Sequence, residues 1–297
     1  MGYDAASDWH HPNRRTLVFL GDLVDRGDAP LEVVELVARL VAERRAVCLM
    51  GNHEYNLVAH FLRVPGYEEP KHSNAATISQ WNQVPDRRDR ALAFLAALPL
   101  AIDLPDLRIV HACWEGNVIQ QLGRLLAPQS GSTNKDTVSY IESGVVLRSP
   151  FANGRLVHGL PGDTADLEAE IPHEVLIKGP ELPAPAFADA DGKLRHRQRA
   201  LWWQDARVQV PRDKPIVFGH YWHVPPVTGL FVPPHASGTK DLRDWAIGIA
   251  PDVPPTGRVA MSGNVVCVDF NGVLLAGGRP VLGALRWPER EVVWAAG

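Results

Sequence analysis

The chain of 297 residues is 45% hydrophobic and 22% charged, a globular mixture with ample apolar material for the core of one domain. Its formal net charge of −4 argues against broad non-specific or stable nucleic-acid binding and leaves room only for a local basic cleft. Cys48, Cys113 and Cys267 are too scattered for a disulfide framework, no apolar run approaches the ~18 residues of a membrane span, and residues 1–15 lack a signal-peptide core, so a soluble, cytoplasmic protein is expected.

The first strand-like run is residues 16–20, short and apolar, and it leads into Gly21-Asp22-Leu23-Val24-Asp25-Arg26-Gly27. Asp28 can cap the following helix, with Pro30 in its first turn. That helix, residues 31–43, spaces Leu36, Val37, Leu40 and Val41 for one buried face. A second buried run, residues 47–50, leads into Gly51-Asn52-His53-Glu54 and a helix over 54–62. Residues 67–74, with 75–82 following, read as a polar surface excursion. Residues 89–98 are helical, and 101–104 and 107–110 are two strands joined by a Pro-Asp turn, the second ending at His111.

From 115 to about 177 the pattern loosens. An amphipathic helix over 118–126, a loop at 129–134 and a helix over 137–147 are expected, and the stretch 115–210 as a whole reads as a cap-like insertion in a single domain spanning 1–297. Residues 216–219 form a fourth buried strand ending at His220. Residues 225–255 are rich in proline and read as loop. Short strands at 265–270, 273–275, 282–287 and 292–294 close the chain as a meander. Four apolar strands thus each deliver an oxygen or imidazole ligand at their carboxyl end, which is where open α/β sheets bind ligands. If they share a sheet, those ligands converge on a metal.

The pair GDLVDRG and GNHE resembles the calcineurin-like metallophosphoesterases, and the GDxVDRG form their phosphoprotein-phosphatase branch. Bacterial-type relatives include protein Ser/Thr phosphatases, diadenosine-tetraphosphate hydrolases and RNA-end phosphatases. The resemblance implies an α/β fold, a metallophosphatase-type β-sandwich flanked by helices, with a dimetal cleft at the strand carboxyl ends. It implies a metal-dependent hydrolase of phosphomonoesters, phosphoprotein or nucleotide, working through metal-activated hydroxide with Mn, Fe or Zn as divalent ions. By the same resemblance Asp22, Asn52, His111 and His220 are metal ligands. His53 protonates the leaving oxygen, Asp25 holds its imidazole, and Arg26 grips phosphoryl oxygens.

Plainer readings stand beside these. Asp22 could be a helix-entry residue, Asn52 a turn former, Asp25 and Arg26 a structural turn, and either histidine a core residue. Glu54 reads as a loop or helix-start residue rather than a ligand. Lys178, Arg197 and Arg199 could touch phosphate but read singly as solvated surface. Trp202, Trp203, Tyr221 and Trp222 could stack on a base, although core packing is the default for tryptophan. His223 follows Gly219-His220-Tyr221-Trp222 one residue too late for the family's Gly-His-x-His and reads as a cleft or loop residue.

The family also places an Asp-x-His pair after an earlier strand. Asp8-Trp9-His10 matches it literally, but it has no strand before it and sits too close to Asp22 for a strand-to-strand crossover. A polar loop is expected there. The expectation is therefore that the first strand and helix are missing, as a misassigned start codon would produce, and that one metal site lacks ligands. The competing function is an impaired member acting as a phosphate-binding or interaction module. The other seven positions, all retained, favour catalysis.

Overall fold

The computed structural model describes residues 2–126, 144–151, 156, 172–188, 194–221, 264–269 and 281–296. Strand β1 (Leu17–Phe19) lies parallel to β2 (Ala46–Cys48), with helix α1 (Pro30–Ala42) as the crossover. Helix α2 (Asn52–Phe61) leaves the end of β2, and α3 (Ala75–Trp81) and α4 (Pro85–Ala96) follow. A second, mixed sheet is ordered β5-β3-β4-β8-β9: β3 (Ala101–Asp103) runs antiparallel to β4 (Arg108–Val110) and β5 (Val145–Leu147), while β4, β8 (Ile216–Phe218) and β9 (Val265–Cys267) are parallel. The Met50 amide donates to the Pro99 carbonyl at 2.8 Å, joining the end of β2 to the start of β3.

Alternation along these strands sorts side chains into two cores. Ala46, Cys48, Ala101, Val110, Ile216, Phe218, Val265 and Cys267 face the larger core. The intervening Val47, Ile102, Ile109, Val217 and Val266 face a smaller one, against which Leu285 and Trp287 of the β10 (Val281–Arg286)–β11 (Glu291–Ala296) hairpin region pack. The expected α/β fold is what the described residues form.

Several local expectations change. Helix α1 starts at Pro30 with Ala29 at its N-cap and no side-chain cap bond, so Asp28 does not cap it. Residues 145–147 are strand rather than helix, because they add to the free edge of β3. Helix α5 (Gly116–Leu125) forms as expected, with the Glu115 carboxylate accepting from the Val118 amide at 2.6 Å. Helix α6 (Pro172–Lys178) and the antiparallel pair β6 (Glu181–Ala188) and β7 (Leu194–Arg199) were not anticipated. Residues 67–74 are no surface excursion throughout: Tyr67 and Asn74 are buried. The loop expectations at 129–134 and 225–255, the strand at 273–275, His223, Trp222 and most of the insertion between 127 and 171 lie outside the described residues.

Candidate functional site

Parallel pairing aligns the carboxyl ends of β1 with β2 and of β4 with β8, and this brings the ligand-bearing residues together. Just past β1 the backbone turns through left-handed conformations at Gly21 (φ 99°), Asp22 (58°), Asp25 (72°) and Arg26 (57°). His220, just past β8, has φ 63°. Such φ values are uncommon outside glycine and cluster at functional sites. The approach is also close. A Cβ on Gly21 would lie 2.5 Å from the Gly51 amide nitrogen, and one on Gly51 2.4 Å from Asp22 Oδ1. Both positions need glycine for space, which packs GDLVDRG directly against GNHE.

One buried carboxylate holds that packing. Glu54, at the third position of α2, is 0% exposed. Its Oε2 accepts from the amides of Asp22 (2.7 Å) and Gly51 (3.0 Å), and its Oε1 from Leu23 (2.6 Å) and Val24 (3.3 Å). Burial and the Asp22 charge raise the Glu54 pKa, against the pull of the amides and of His53 and His111. The reach-back to Gly51 is half a capping box, and a glutamate three residues after a helix entry is the signal that could have found it.

Around His111 Nε2 stand Asp22 Oδ1 at 3.5 Å, Asn52 Oδ1 at 3.3 Å and His220 Nδ1 at 3.2 Å. Ligand atoms of Asp22, His111 and His220 all lie within 4.8 Å of one another. His111 Nδ1 donates to the Leu20 carbonyl oxygen, which fixes the tautomer and leaves Nε2 as a lone pair. His220 is buried and its pKa is pushed well down, by burial first and then by Arg199 and His111, so its imidazole stays neutral. Carboxylate oxygen, amide oxygen and imidazole lone pairs facing one point fit a divalent cation. Asp22 also accepts from the His53 amide at 3.3 Å, at the positive end of α2.

Beside this group His53 Nδ1 meets Asp25 Oδ2 at 2.5 Å. Burial works against the imidazolium, but the Asp25 hydrogen bond and the charges of Asp22, Asp25 and Glu54 outweigh it and raise the His53 pKa. Asp25 is held further by Asn74 Nδ2 (2.7 Å to Oδ2) and Thr77 Oγ1 (2.7 Å to Oδ1), neither of which stood out in the sequence. Arg26, next in the chain, is exposed.

Other candidates fall elsewhere. Asp8 pairs with Arg39 (2.9 Å) and Arg45 (3.3 Å), and His10 Nδ1 lies 2.9 Å from Arg45 Nη1, so both are engaged with α1 and the loop after it. Lys178 is bound to Glu174 (2.7 Å), and Arg197 donates to the Glu181 carbonyl. Arg199 donates to the His220 carbonyl at 2.8 Å and so belongs to the site's surroundings. Trp202 and Trp203 are 0% and 3% exposed, packed on Phe218, and are core rather than a stacking platform.

Residues 4–111 match the family model described as calcineurin-like phosphoesterase, and oxygen and imidazole side chains gathered at the carboxyl ends of parallel strands in an α/β fold accord with that match. Among curated proteins the chain is similar to bis(5'-nucleosyl)-tetraphosphatase PrpE (asymmetrical) of Anoxybacillus flavithermus, 34% identical over 116 residues, 37% of this chain and 46% of that protein. It is similar to the PrpE of Halalkalibacterium halodurans at 30% over 150 residues, covering 46% and 60%. A bis(5'-nucleosyl)-tetraphosphatase (symmetrical) of Paracidovorax citrulli is 40% identical over 92 residues, 30% of this chain and 29% of that protein. The chain spans about half the length of the first of these relatives. Among the described residues no helix is long and apolar enough to cross a membrane.

Proposed function

We propose that the chain is a metal-dependent phosphoric ester hydrolase acting on phosphorylated nucleotides. The observation that carries this reading is the convergence of Asp22, Asn52, His111 and His220 beside a hydrogen-bonded His53–Asp25 pair. Asp22, Asn52, His111 and His220 would hold a divalent ion such as manganese, zinc or iron. When bound, such an ion supplies Lewis acidity toward a phosphoryl oxygen and lowers the pKa of a water. His53 carries the proton for the leaving oxygen on Nε2, because Nδ1 is committed to Asp25. Arg26 offers a forked guanidinium to the phosphoryl oxygens. The names of the relatives favour a nucleotide over a phosphoprotein; the tryptophan pair adds nothing to that choice, being buried.

The test is bound metal per chain together with manganese-dependent hydrolysis of p-nitrophenyl phosphate, a dinucleoside tetraphosphate and a phosphopeptide. Asp22→Asn and His53→Ala are the controls, each expected to lose about a hundredfold or more in kcat. Turnover of p-nitrophenyl phosphate supports ester hydrolysis, and preference for the dinucleoside tetraphosphate, cleaved at a phosphoric anhydride, over the phosphopeptide supports the nucleotide substrate. Metal and phosphate binding without turnover would sink it in favour of a phosphate-binding module, and preference for the phosphopeptide would overturn the substrate class.

A further inference from the structure

The polar side chains of Asn74 and Thr77 are almost wholly buried, at 1% and 2% exposure, and both are turned onto Asp25. Asn74 ends the 3₁₀ turn His72–Asn74 and occupies the N-cap position of α3; Thr77 lies in the first turn of that helix. An asparagine at an N-cap ordinarily bonds its own helix's amides, and here it makes no such bond. Instead its Nδ2 donates to Asp25 Oδ2 at 2.7 Å and lies 3.3 Å from the His53 carbonyl oxygen, bridging the two members of the pair. Its Oδ1 is left buried with no hydrogen-bond partner among the described residues. Flipping the amide would set that oxygen against the Asp25 carboxylate, so the orphaned oxygen accompanies the one orientation that serves Asp25.

Thr77 takes the other Asp25 oxygen, so three donors together engage both oxygens of a carboxylate that is 1% exposed. The donors are themselves rigid, because α3 is anchored in the core by Trp81 (0%) and Ile78 (7%). A carboxylate fixed at both oxygens presents one lone pair to His53 Nδ1 and thereby sets the plane of the ring and the direction of Nε2.

We propose that Asn74 and Thr77 are positioning residues for proton delivery: acting through Asp25, they orient His53 toward the leaving-group oxygen. This rests on the phosphoesterase reading above. Proton donation matters most when the leaving oxygen is basic, so the signature is a loss that depends on the leaving group. A general loosening of the fold would slow all substrates alike.

The experiment uses the full chain loaded with manganese and compares kcat and KM for phenyl phosphate, a poor leaving group, and p-nitrophenyl phosphate, a good one. Thr77→Val, an isostere without the hydroxyl, should lower kcat on phenyl phosphate about tenfold while p-nitrophenyl phosphate stays within about threefold, with KM and bound manganese unchanged. Thr77→Ser should restore both. Independently of turnover, proton NMR of the metal-free chain should show a downfield Nδ1–H resonance of His53, assigned by its absence in His53→Gln. It should weaken or shift in Asn74→Ala and Thr77→Val and return in Thr77→Ser. Equal losses on both esters, or a serine variant that behaves like the valine one, would overturn this inference alone. A wild-type chain that binds manganese and hydrolyses neither ester would overturn the phosphoesterase reading, and an unchanged His53 resonance would then overturn the positioning as well.

Discussion

Replacing Glu54 by glutamine should be among the most damaging single-atom changes in the molecule. The side chain is 0% exposed, and each of its oxygens accepts two backbone amides, Asp22 and Gly51 on one and Leu23 and Val24 on the other. An amide keeps one oxygen and turns an N–H₂ toward the other pair, so two buried donors face a donor. Each buried amide left without an acceptor costs about 1–3 kcal/mol, and the 3.3 Å contact to Val24 is the weakest of the four, so the loss is about 2–4 kcal/mol. In urea, with a slope of about 3 kcal/mol/M, the unfolding midpoint should fall by about 1 M at unchanged slope. Because the amide of Asp22 is one of the four, manganese affinity should fall with stability in Glu54→Gln. Glu54→Asp, one methylene shorter, should not restore either. A midpoint shift below about 0.3 M, with manganese affinity intact, would mean that the loop holds its left-handed turns without this carboxylate, and the reasoning would fail.

Two further outcomes follow from other buried contacts. Burial pushes the Glu174 carboxyl up, but the Lys178 ammonium (2.7 Å), the Tyr67 hydroxyl and His173 outweigh it and hold its pKa below the ordinary 4.5. A depressed carboxylate contributes stability that is present above its unfolded pKa and lost as pH falls through the folded one. The thermal midpoint of the wild type should therefore drop more steeply below pH 4.5 than that of Glu174→Gln, which should be the less stable protein at pH 7; parallel curves would refute the assignment. Gly179 has φ 74°, and a Cβ there would fall 2.0 Å from the buried Tyr221 hydroxyl, so Gly179→Ala should cost about 2–5 kcal/mol from left-handed strain plus overpacking. Tyr221→Phe removes a hydroxyl that has no hydrogen-bond partner among the described residues and should recover part of that cost in the double variant, whereas strict additivity in a double-mutant cycle would show that the clash is not the cause.

What the sequence made legible is what short-range pattern encodes. Four short apolar runs, each closing on a glycine or histidine, announced β1, β2, β4 and β8, and the residues just past them are those that converge around His111. The β6–β7 hairpin went unseen because Pro183 and Pro185 disguise one strand and the basic, non-alternating Leu194–Arg199 the other; as a separate two-stranded unit it needs no apolar face pattern. The partners of Asp25 went unseen for another reason. Asn74 and Thr77 lie far along the chain from it, and side-chain-to-side-chain bonds across such a separation leave no periodicity. Of the Glu54 bonds only the one to Gly51 has a local signature; those to Asp22, Leu23 and Val24 were hidden because backbone amides are carried by every residue.

These failures share a physical cause. Asp28 looked like a helix cap and is not one; Asn74 occupies a cap position and leaves its helix uncapped; Asp22, Asp25 and His220 adopt backbone angles their residue types disfavour. In each case a locally cheaper arrangement was available, and all but the first lie within hydrogen-bond reach of the donors around His111 or the His53–Asp25 pair. Local preference is overridden where longer-range contacts over-determine the conformation, and such overrides gather at functional sites. Among the described residues, four of the ten non-glycine residues with left-handed φ lie here, Asp22, Asp25, Arg26 and His220, and six lie elsewhere, so strain marks the site only together with the convergence of side chains around His111. Asn74 adds to that convergence, because its amide serves Asp25 instead of its own helix.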